Sequence, residues 1–551
     1  MASSTSGGSV SPAGASQPAA LPVYTRNATG LVREIRLFDQ IAYNIGAVTP
    51  LSSALILLFF AVFVFPRTNL FLAVLIPAIA AIPVWITFAL LTATLPKVGG
   101  DYIFNTRILH PALGFGVNLG FVFSQALTAG FAAGFLPELA LYPTLLVLGT
   151  VTHNSTITSW ASTFQISNPN GVFITSALAI LFVCVLAAIR SSLLLRVMTI
   201  MVIVFGIAAL ADIVILSLTS QSSFTNTFNS VAGSDSYQKV VAAGVGKGLY
   251  PSEGGYDFTA TVGTMFFAFG FSIWVFQGAY IAGEVRRAGQ RGRMLVSYIS
   301  AGIIQTAFLL LALFTFYHAV GENFAISAAA GNQTTGIATY PYYATLATGN
   351  AALAVVIAIG FLFWTIPCMN VFMAIVQRGA FVYAFERLLP SWVGRVNPRS
   401  HTPIVAVAIM GILSLAGAAF DAYNANFATA LTLANLTALG APLFVGISAL
   451  VLPWRRPDIF KGSPADWRIF GFPVIAVAGG WTVLVIAFFM IEPFVFADQT
   501  GLSARDWLRP GTVILFVGII IVGIIWWYLA RAYHRPRGIN LDLLYKTIPP
   551  D

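Results

Sequence analysis

The 551-residue chain contains very little charge. Charged residues make up 9% of it and hydrophobic residues 58%, whereas a soluble domain is about 25% charged. Because the shortage extends along the whole length, it excludes a soluble enzyme with a single membrane anchor, a disordered protein and a fibrous one. The composition therefore predicts a polytopic membrane protein.

Residues that commonly carry chemistry are also scarce. The two cysteines, Cys184 and Cys368, lie in separate apolar stretches, so they can form neither a disulfide framework nor a metal cluster, and we interpret them as core residues. The five histidines avoid the middle of apolar segments, and no paired Asp motif is present, which argues against a membrane-embedded enzyme. The lack of a Gly-x-x-x-x-Gly-Lys-Ser/Thr loop argues against a primary pump. We expect neither a metal nor a cofactor.

Apolar segments long enough to cross a bilayer, about 20 residues each, recur twelve times. Helices are expected in all of them, because a helix satisfies every backbone polar group within its own segment. The predicted spans are residues 38–65, 71–94, 112–140, 171–189, 194–218, 259–282, 295–319, 348–376, 403–420, 427–452, 470–491 and 511–531. The Ser-, Ala-, Gly- and Pro-rich start of the chain is predicted to be a disordered tail.

Basic residues predict the orientation of these spans. The net charge is +9, but Lys and Arg are sparse and lie at the ends of apolar segments, so nucleic acid is excluded as a partner. With the N-terminus in the cytoplasm, 23 of the 28 Lys and Arg residues fall on the cytoplasmic side. This bias predicts cytoplasmic termini, in a multi-pass protein embedded in the lipid bilayer of the cell membrane.

Two of the spans contain interruptions. In the first, Pro50 removes a backbone donor. The hydroxyl groups beside it belong to Thr49, Ser52 and Ser53. In the sixth, Gly270 permits a break and Ser272 offers a polar group. Broken helices at matching positions of two repeats are typical of transporters, where the exposed helix ends bind charged groups. A proline kink and a packing glycine are the alternative interpretation.

Four stretches resemble the amino acid–polyamine–organocation (APC) permeases. Residues 37–47 are similar to the family's entry into helix 1, and Leu95 to Tyr102 to its Pro-x-x-Gly-Gly-x-Tyr loop. Residues 267–287 resemble helix 6 and its acidic–basic exit, and residues 378–403 resemble the helix 8 exit and the run into helix 9. The order and spacing of the four stretches carry the resemblance.

The resemblance implies an all-α fold of about twelve transmembrane helices. A five-plus-five inverted repeat with discontinuous helices 1 and 6 would be followed by two further helices. The implied division of the chain is a cytoplasmic tail (1–36), a first repeat (37–218), an extracellular loop (219–258), a second repeat (259–452), helices 11 and 12 (453–531) and a C-terminal cytoplasmic tail (532–551). The implied activity is secondary transport of amino acids or related amino compounds by alternating access.

The resemblance places a small-molecule site, most simply for an amino acid, between helices 1, 3, 6 and 8. The predicted substrate-binding residues are Gly46, Thr49, Ser52, Ser53, Ser124, Gln125, Phe269, Gly270, Ser272 and Trp274. The chain departs from its relatives in helix 6. A gapless alignment from Glu284 puts Trp274 where relatives have glycine, unless the register shifts to Gly270. A bulkier, more aromatic pocket is the consequence.

The coupling ion is expected to be H⁺ or Na⁺, and we favour proton coupling or exchange. Ionisable groups inside spans are costly and therefore functional candidates. The ion-coupling candidates are Asp212, Glu138, Thr365 and Asn370. Asp212 and Glu138 have structural alternatives at a polar vestibule or a helix end, and Glu284 is expected to pair with Arg286 and Arg287.

Other functions remain open from the sequence. The chain could carry a polyamine, a nucleobase or an organic acid, or act as a transporter-like sensor without transport activity. Polyamine recognition would favour several carboxylates in the pocket, and helices 1, 6 and 8 have none deep inside.

Overall fold

The computed structural model describes residues 33–48, 54, 57–331, 339–348, 350–423, 427–496, 517–544 and 546. In these residues the secondary structure is almost entirely helical. The α-helices in chain order are α1 (Leu37–Gly46), α2 (Val62–Val64), α3 (Leu70–Thr94), α4 (Asp101–Ile108), α5 (Pro111–Phe135), α6 (Tyr142–Val151), α7 (Ser155–Ala161), α8 (Pro169–Ile189), α9 (Ser191–Leu218), α10 (Gln221–Ala232), α11 (Ser236–Ala242), α12 (Phe258–Ile273), α13 (Arg291–Val320), α14 (Glu322–Gly331), α15 (Thr339–Ala347), α16 (Ala351–Phe385), α17 (Ile404–Tyr423), α18 (Phe427–Arg455), α19 (Pro457–Phe460), α20 (Val474–Val495), α21 (Ile519–His534) and α22 (Leu541–Leu544).

Other elements are short. The π-helical turns are Leu57–Ala61 and Leu136–Leu141, and the 3₁₀ turns are Ser162–Phe164, Pro251–Glu253, Trp274–Ala279, Ala282–Glu284 and Arg535–Arg537. Strands β1 (Arg468–Ile469) and β2 (Phe472–Pro473) form an antiparallel hairpin just before α20.

Ten helices in the described part of the chain are long and apolar enough to cross a membrane. They are α3, α5 with its continuation α6, α8, α9, α12, α13, α16, α17, α18 and α20, and each overlaps a predicted span. The other two predicted spans are 38–65 and 511–531. Parts of both lie outside the described residues. The described helical portions are α1, the π-helical turn Leu57–Ala61 and α2 in the first of these spans, and α21 in the second. The prediction of an all-α polytopic membrane protein is thereby confirmed.

The third span is longer than the sequence predicts. We expected residues 112–140, but the helical run covers Pro111 to Thr150. Its middle is the π-helical turn Leu136–Leu141, which contains Pro137. A π turn accommodates a residue without a backbone N–H, so proline here changes the hydrogen-bond pattern without ending the helix.

Helix contacts are exchanged between the two halves of the chain, as expected for an inverted repeat. Helix α1 packs on α13, and correspondingly α12 packs on α3. Likewise α9 packs on α16, and α18 packs on α5. By the predicted division, α1 and α12 are the first helices of the two repeats, and α3 and α13 are the second. The first helix of each repeat therefore packs on the second helix of the other repeat. The exact limits of the two repeats remain a prediction.

Helix α5 lies at the centre, in contact with α8, α16, α17, α18 and α21. Its crossing with α17 is close because both helices have glycine there. A Cβ atom at Gly130 would overlap the backbone of Gly417 and Ala418, and one at Gly417 would lie 3.0 Å from the carbonyl oxygen of Ala126. Small residues at such crossings let membrane helices gain van der Waals contact.

We predict that Gly130→Ala destabilises the protein by about 1–3 kcal/mol, because α17 must move to make room. Gly206→Ala is the matched control: it also lies within a helix, but nothing lies within 4 Å of the added methyl group. Alanine there should be neutral or stabilise by up to about 1 kcal/mol through helix propensity. Thermal unfolding of the purified protein measures both effects, and equal stability of the two variants would contradict the close crossing.

Candidate functional site

A cavity with a volume of about 60 Å³ lies between α1, α5, α12, α16 and α18. On this measure one water needs about 10–15 Å³, so several waters or a small solute can fit. The lining residues are Ala47, Val48, Gln125, Thr128, Phe131, Ala132, Phe135, Gly270, Phe271, Trp274, Cys368, Phe372 and Ala438. The cavity lies between the helices that the resemblance implies, with α18 in addition.

The cavity wall is aromatic and uncharged. Phe131 and Phe135 of α5 meet edge to face, with ring centroids 5.2 Å apart, and the other aromatic lining residues are Phe271, Trp274 and Phe372. Among the described residues that line the cavity, none carries a charge. Such a wall favours a solute with a large apolar part and penalises one with an additional charge.

Gln125 provides a polar group in this apolar wall. Its side chain is 1% exposed, and its Oε1 atom has no hydrogen-bond partner among the described residues. The neighbouring Thr128 hydroxyl is already engaged, since it donates to the carbonyl oxygen of Ser124 at 2.9 Å. A buried amide oxygen without a partner is costly, and a bound N–H or ammonium group would satisfy it.

The sixth span changes from α-helix to 3₁₀ geometry at Trp274, where α12 ends and the turn Trp274–Ala279 begins. This is the position of the gapless alignment; Gly270 lies within the regular part of α12. Gly270 and Trp274 both line the cavity. The indole of Trp274 also contacts Phe121 of α5, at 6.2 Å between ring centroids.

Phe269 and Ser272 lie on other faces of α12. Phe269 stacks on Phe489 of α20 at 3.9 Å between centroids. The Ser272 hydroxyl donates to the carbonyl oxygen of Ala268, and the Ser272 carbonyl accepts from the indole of Trp85. Neither residue is among those that line the cavity.

The first span reaches the cavity through Ala47 and Val48, which follow α1. Gly46 packs next to them: a Cβ atom there would lie 3.5 Å from both Pro367 and Val202. The predicted site residues Thr49, Ser52 and Ser53 lie outside the described residues. Ser124 is buried beside Gln125 on α5.

The eighth span contributes Cys368, which is more than a core residue. It lines the cavity, and its thiol lies 3.7 Å from the carbonyl oxygen of Ala47. The Thr365 hydroxyl donates to Leu362 within its own helix. Asn370 is buried, and neither polar atom of its amide has a hydrogen-bond partner among the described residues.

The two predicted carboxylates of the spans lie apart from the lining of the cavity. Asp212 is fully buried in α9. Glu138 is buried in the π-helical turn that follows α5. Asp421 of α17 lies near it, against Gly134, where an added Cβ atom would overlap the Asp421 carboxylate.

The exit of the sixth span is held by an ion pair that differs from our expectation. Glu284 binds Arg378 of α16 through two hydrogen bonds of 2.8 and 3.1 Å, and both side chains are buried. The expected partners Arg286 and Arg287 are exposed, and Arg286 donates to the carbonyl oxygen of Arg33. The planar guanidinium of Arg378 binds both carboxylate oxygens of Glu284. A pair of flexible surface side chains lacks this fixed two-bond geometry.

Helix α1 is tied to the same segment. The Asn44 side-chain oxygen accepts from the backbone N–H of Gly278 at 2.7 Å, and the Tyr43 hydroxyl donates to the carbonyl oxygen of Val371. The backbone of Ile35 also exchanges hydrogen bonds with Glu284 and Arg286. The first and sixth spans therefore meet α16 on the predicted cytoplasmic side of the cavity.

Sequence reasoning missed several lining residues: Ala47, Val48, Thr128, Phe131, Ala132, Phe135, Phe271, Cys368, Phe372 and Ala438. For α5 a signal existed, because Thr128, Phe131, Ala132 and Phe135 follow Gln125 at helical spacing on one face. Cys368 and Phe372 are also one turn apart. No comparable signal marks Ala438.

Comparison with known proteins gives the family. Residues 37–525 match the sequence model of the amino acid permease family. A search of curated proteins finds no match. The match covers eleven predicted spans, the twelfth as far as residue 525, and the whole cavity described above, and it indicates a transporter. The chain belongs to the amino acid permease family, whose members carry amino acids or related compounds.

Proposed function

We propose that the protein is a secondary transporter of neutral amino acids with large apolar or aromatic side chains, and that it works by alternating access. The observation that carries the proposal is the uncharged aromatic cavity between α1, α5, α12 and α16. The charge bias of the loops supports an orientation with both termini in the cytoplasm, and we place the protein in the plasma membrane.

The character of the wall supports this class of substrate over the alternatives. A polyamine or an organic acid brings charges that the described lining residues do not neutralise. An amino acid has one ammonium and one carboxylate. We assign the ammonium to Gln125 Oε1, and the carboxylate to backbone N–H groups at the predicted interruption of the first span, by analogy with broken-helix transporters.

Proton coupling or exchange is supported over sodium coupling. The sodium site of the wider fold uses hydroxyl groups of helix 8 and carbonyl groups of helix 1. Here the Ala47 carbonyl faces the Cys368 thiol. Sodium is a hard cation that prefers oxygen ligands, so a thiol at this place disfavours it.

Alternating access requires a closure that can separate. The Glu284–Arg378 pair joins the exit of the sixth span to α16, on the predicted cytoplasmic side of the cavity. We propose that this contact is part of the cytoplasmic gate, and that it breaks when the site opens inward.

Counterflow in proteoliposomes tests the function directly. Vesicles loaded with the twenty amino acids are given each labelled amino acid outside, and we expect accumulation of the large apolar and aromatic ones. Protein-free vesicles are the control. If folded protein accumulates none of them but its unfolding temperature rises with an amino acid, a sensor without transport activity is favoured.

Trp274→Ala should change the range of substrates, because the indole occupies part of the cavity. Removal of the ring should raise the KM for the wild-type substrates by about 10- to 200-fold, the usual effect of lost apolar contacts in a pocket, and admit bulkier ones. Trp392→Ala, at an exposed position, is the matched control. Unchanged uptake and selectivity of the Trp274 variant would contradict its role in the pocket.

Gln125→Leu should weaken substrate binding at nearly constant side-chain volume. Loss of a hydrogen bond to a charged group costs about 1.5–3 kcal/mol, so we expect a KM at least tenfold higher. Gln290→Leu, at an exposed position before α13, should leave the KM unchanged. For an analogue without the amino group, the KM values of wild type and Gln125→Leu should differ less than they do for the amino acid. An equally large difference for both compounds would argue against this contact.

A further inference from the structure

Asp101 is a fully buried carboxylate in a loop segment outside the membrane spans. It is the first residue of α4, and its Oδ1 atom accepts two hydrogen bonds, from the Tyr280 hydroxyl at 2.6 Å and from the Asn118 amide at 2.7 Å. Its Oδ2 atom is buried and has no hydrogen-bond partner among the described residues. One oxygen therefore accepts two hydrogen bonds, and the other is buried and accepts none from the described residues.

Two glycines make this arrangement possible. Gly99 and Gly100 have φ angles of 112° and 52°, which favour glycine. A Cβ atom at Gly100 would also lie 2.9 Å from the ring of Tyr280. The loop thus comes close enough to the exit of the sixth span for Asp101 to reach the Tyr280 hydroxyl.

The contacts of Asp101 join three spans. Tyr280 follows the 3₁₀ part of the sixth span, Asn118 belongs to α5, and the Tyr383 hydroxyl of α16 donates to the Asn118 side-chain oxygen. A separation of Tyr280 from α5 and α16 would expose the Asp101 carboxylate to water.

A path of ring contacts links this network to the cavity. Phe121 of α5 stacks on Tyr280, at 5.3 Å between ring centroids, and it also contacts Trp274 at the cavity wall. A shift of Trp274 on substrate binding would therefore displace Phe121 and, through it, Tyr280, whose hydroxyl donates to Asp101.

The titratable groups that face Asp101 are the hydroxyl of Tyr280 and, through Asn118, that of Tyr383. Charged groups on the same elements form their own pairs. Arg107, later in α4, binds Glu386, which directly follows α16, at 2.6 Å, and Glu284 binds Arg378. Lys97 precedes Asp101 in the loop.

Burial raises the pKa of Asp101 to about 7, against the lowering effect of the Tyr280 and Asn118 hydrogen bonds and of the nearby backbone amides. A carboxyl group exposed to water has a pKa of about 3.9. We call the arrangement in which Tyr280 and Asn118 enclose Asp101 the closed network. In it, Asp101 binds a proton more tightly than it would when hydrated. By linkage, protonation stabilises the closed state.

We propose that Asp101 is a proton-binding site of the cytoplasmic closure: a proton on Oδ2 holds the exit of the sixth span against α5 and α16, and opening releases it to the cytoplasm. Oδ1 can still accept both hydrogen bonds when Oδ2 is protonated, so proton binding leaves the closed network intact. The site goes beyond the proposed transport function and can be tested without a substrate.

The expected pH dependence has a definite sign. Between about pH 4 and pH 7, opening releases a proton, so each pH unit raises the ratio of open to closed protein by up to about tenfold. Above about pH 7 both states are deprotonated and the effect levels off. Asp101→Asn, which resembles the protonated form, should remain closed at every pH.

Infrared spectroscopy tests proton binding. Difference spectra of the purified protein between pH 5.5 and 8.5 should contain protonated-carboxyl absorption with a component that has its midpoint near pH 7, and Asp101→Asn should reduce this absorption by the share of one carboxyl group. Asp458→Asn is the control, since Arg456 lowers the pKa of this exposed cytoplasmic carboxylate and the band should persist. Identical difference spectra for wild type and Asp101→Asn would overturn the proposal.

Distance measurements test the closure. Spin labels at the exposed residues Gln290 and Trp392, in protein without native cysteines, report the separation of the sixth- and eighth-span exits. A longer distance should gain population from pH 5.5 to 7.5 in wild type but not in Asp101→Asn. The same pH response in both would overturn the proposal, as would a constant distance in wild type.

Tyr280→Phe provides a second variant if Asp101→Asn fails to fold. The change removes a donor that favours the charged carboxylate, so the infrared midpoint should move to higher pH. An unmoved midpoint would show that the titrating group is not the one that Tyr280 contacts. These readouts need no transport, so their failure is distinct from failure of the proposed function in counterflow.

Discussion

Burial of charge is the constraint on which the rest of the structure depends. In a chain with so few charged residues, a buried ion must find a partner or pay a desolvation cost of several kcal/mol. Helix α16 satisfies this constraint twice near its C-terminal end, through the buried pairs Arg378–Glu284 and Arg107–Glu386. Both pairs join α16 to segments that connect or end other spans. Breaking either pair without water entry would be costly, so separation of these segments must coincide with hydration.

This constraint separates two kinds of contact in the molecule: apolar contacts around the cavity, and polar contacts towards the predicted cytoplasmic side. Around the cavity the contacts are van der Waals contacts between aromatic rings and small residues, as at Gly130 and Gly417, and these tolerate no gap. Towards the predicted cytoplasmic side, polar contacts replace them: Asn44 with Gly278, Glu284 with Arg378, and Asp101 with Tyr280. Water can replace polar contacts at little cost, which favours this side as the one that separates.

The spans could be predicted from sequence because length and hydropathy alone define them. The predicted and observed helices agree even where their ends differ by several residues. The continuation of the third span past Leu141 was missed because a π turn, here one that contains Pro137, is not encoded by a recognisable sequence pattern. The change to 3₁₀ geometry at Trp274, instead of at Gly270, follows from tertiary contacts of the segment, such as that of Gly278 with Asn44. The conformational freedom of Gly270 did not determine where the geometry changes.

Residues of the site were harder to predict, for a physical reason. Cys368 and Phe372 look like core residues because a cavity in a membrane helix bundle is lined by the same residue types that pack elsewhere. Phe269 and Ser272 are near Trp274 in sequence, but the helical turn directs them to α20 and α3. Asp101 was read as part of a glycine-rich turn, and only the fold shows that Tyr280 and Asn118 enclose it. A carboxyl group within a span, such as the fully buried Asp212, stays away from water as long as its helix remains packed. One in a loop between moving segments can alternate between burial and water, and that alternation is what couples a proton to a conformational change.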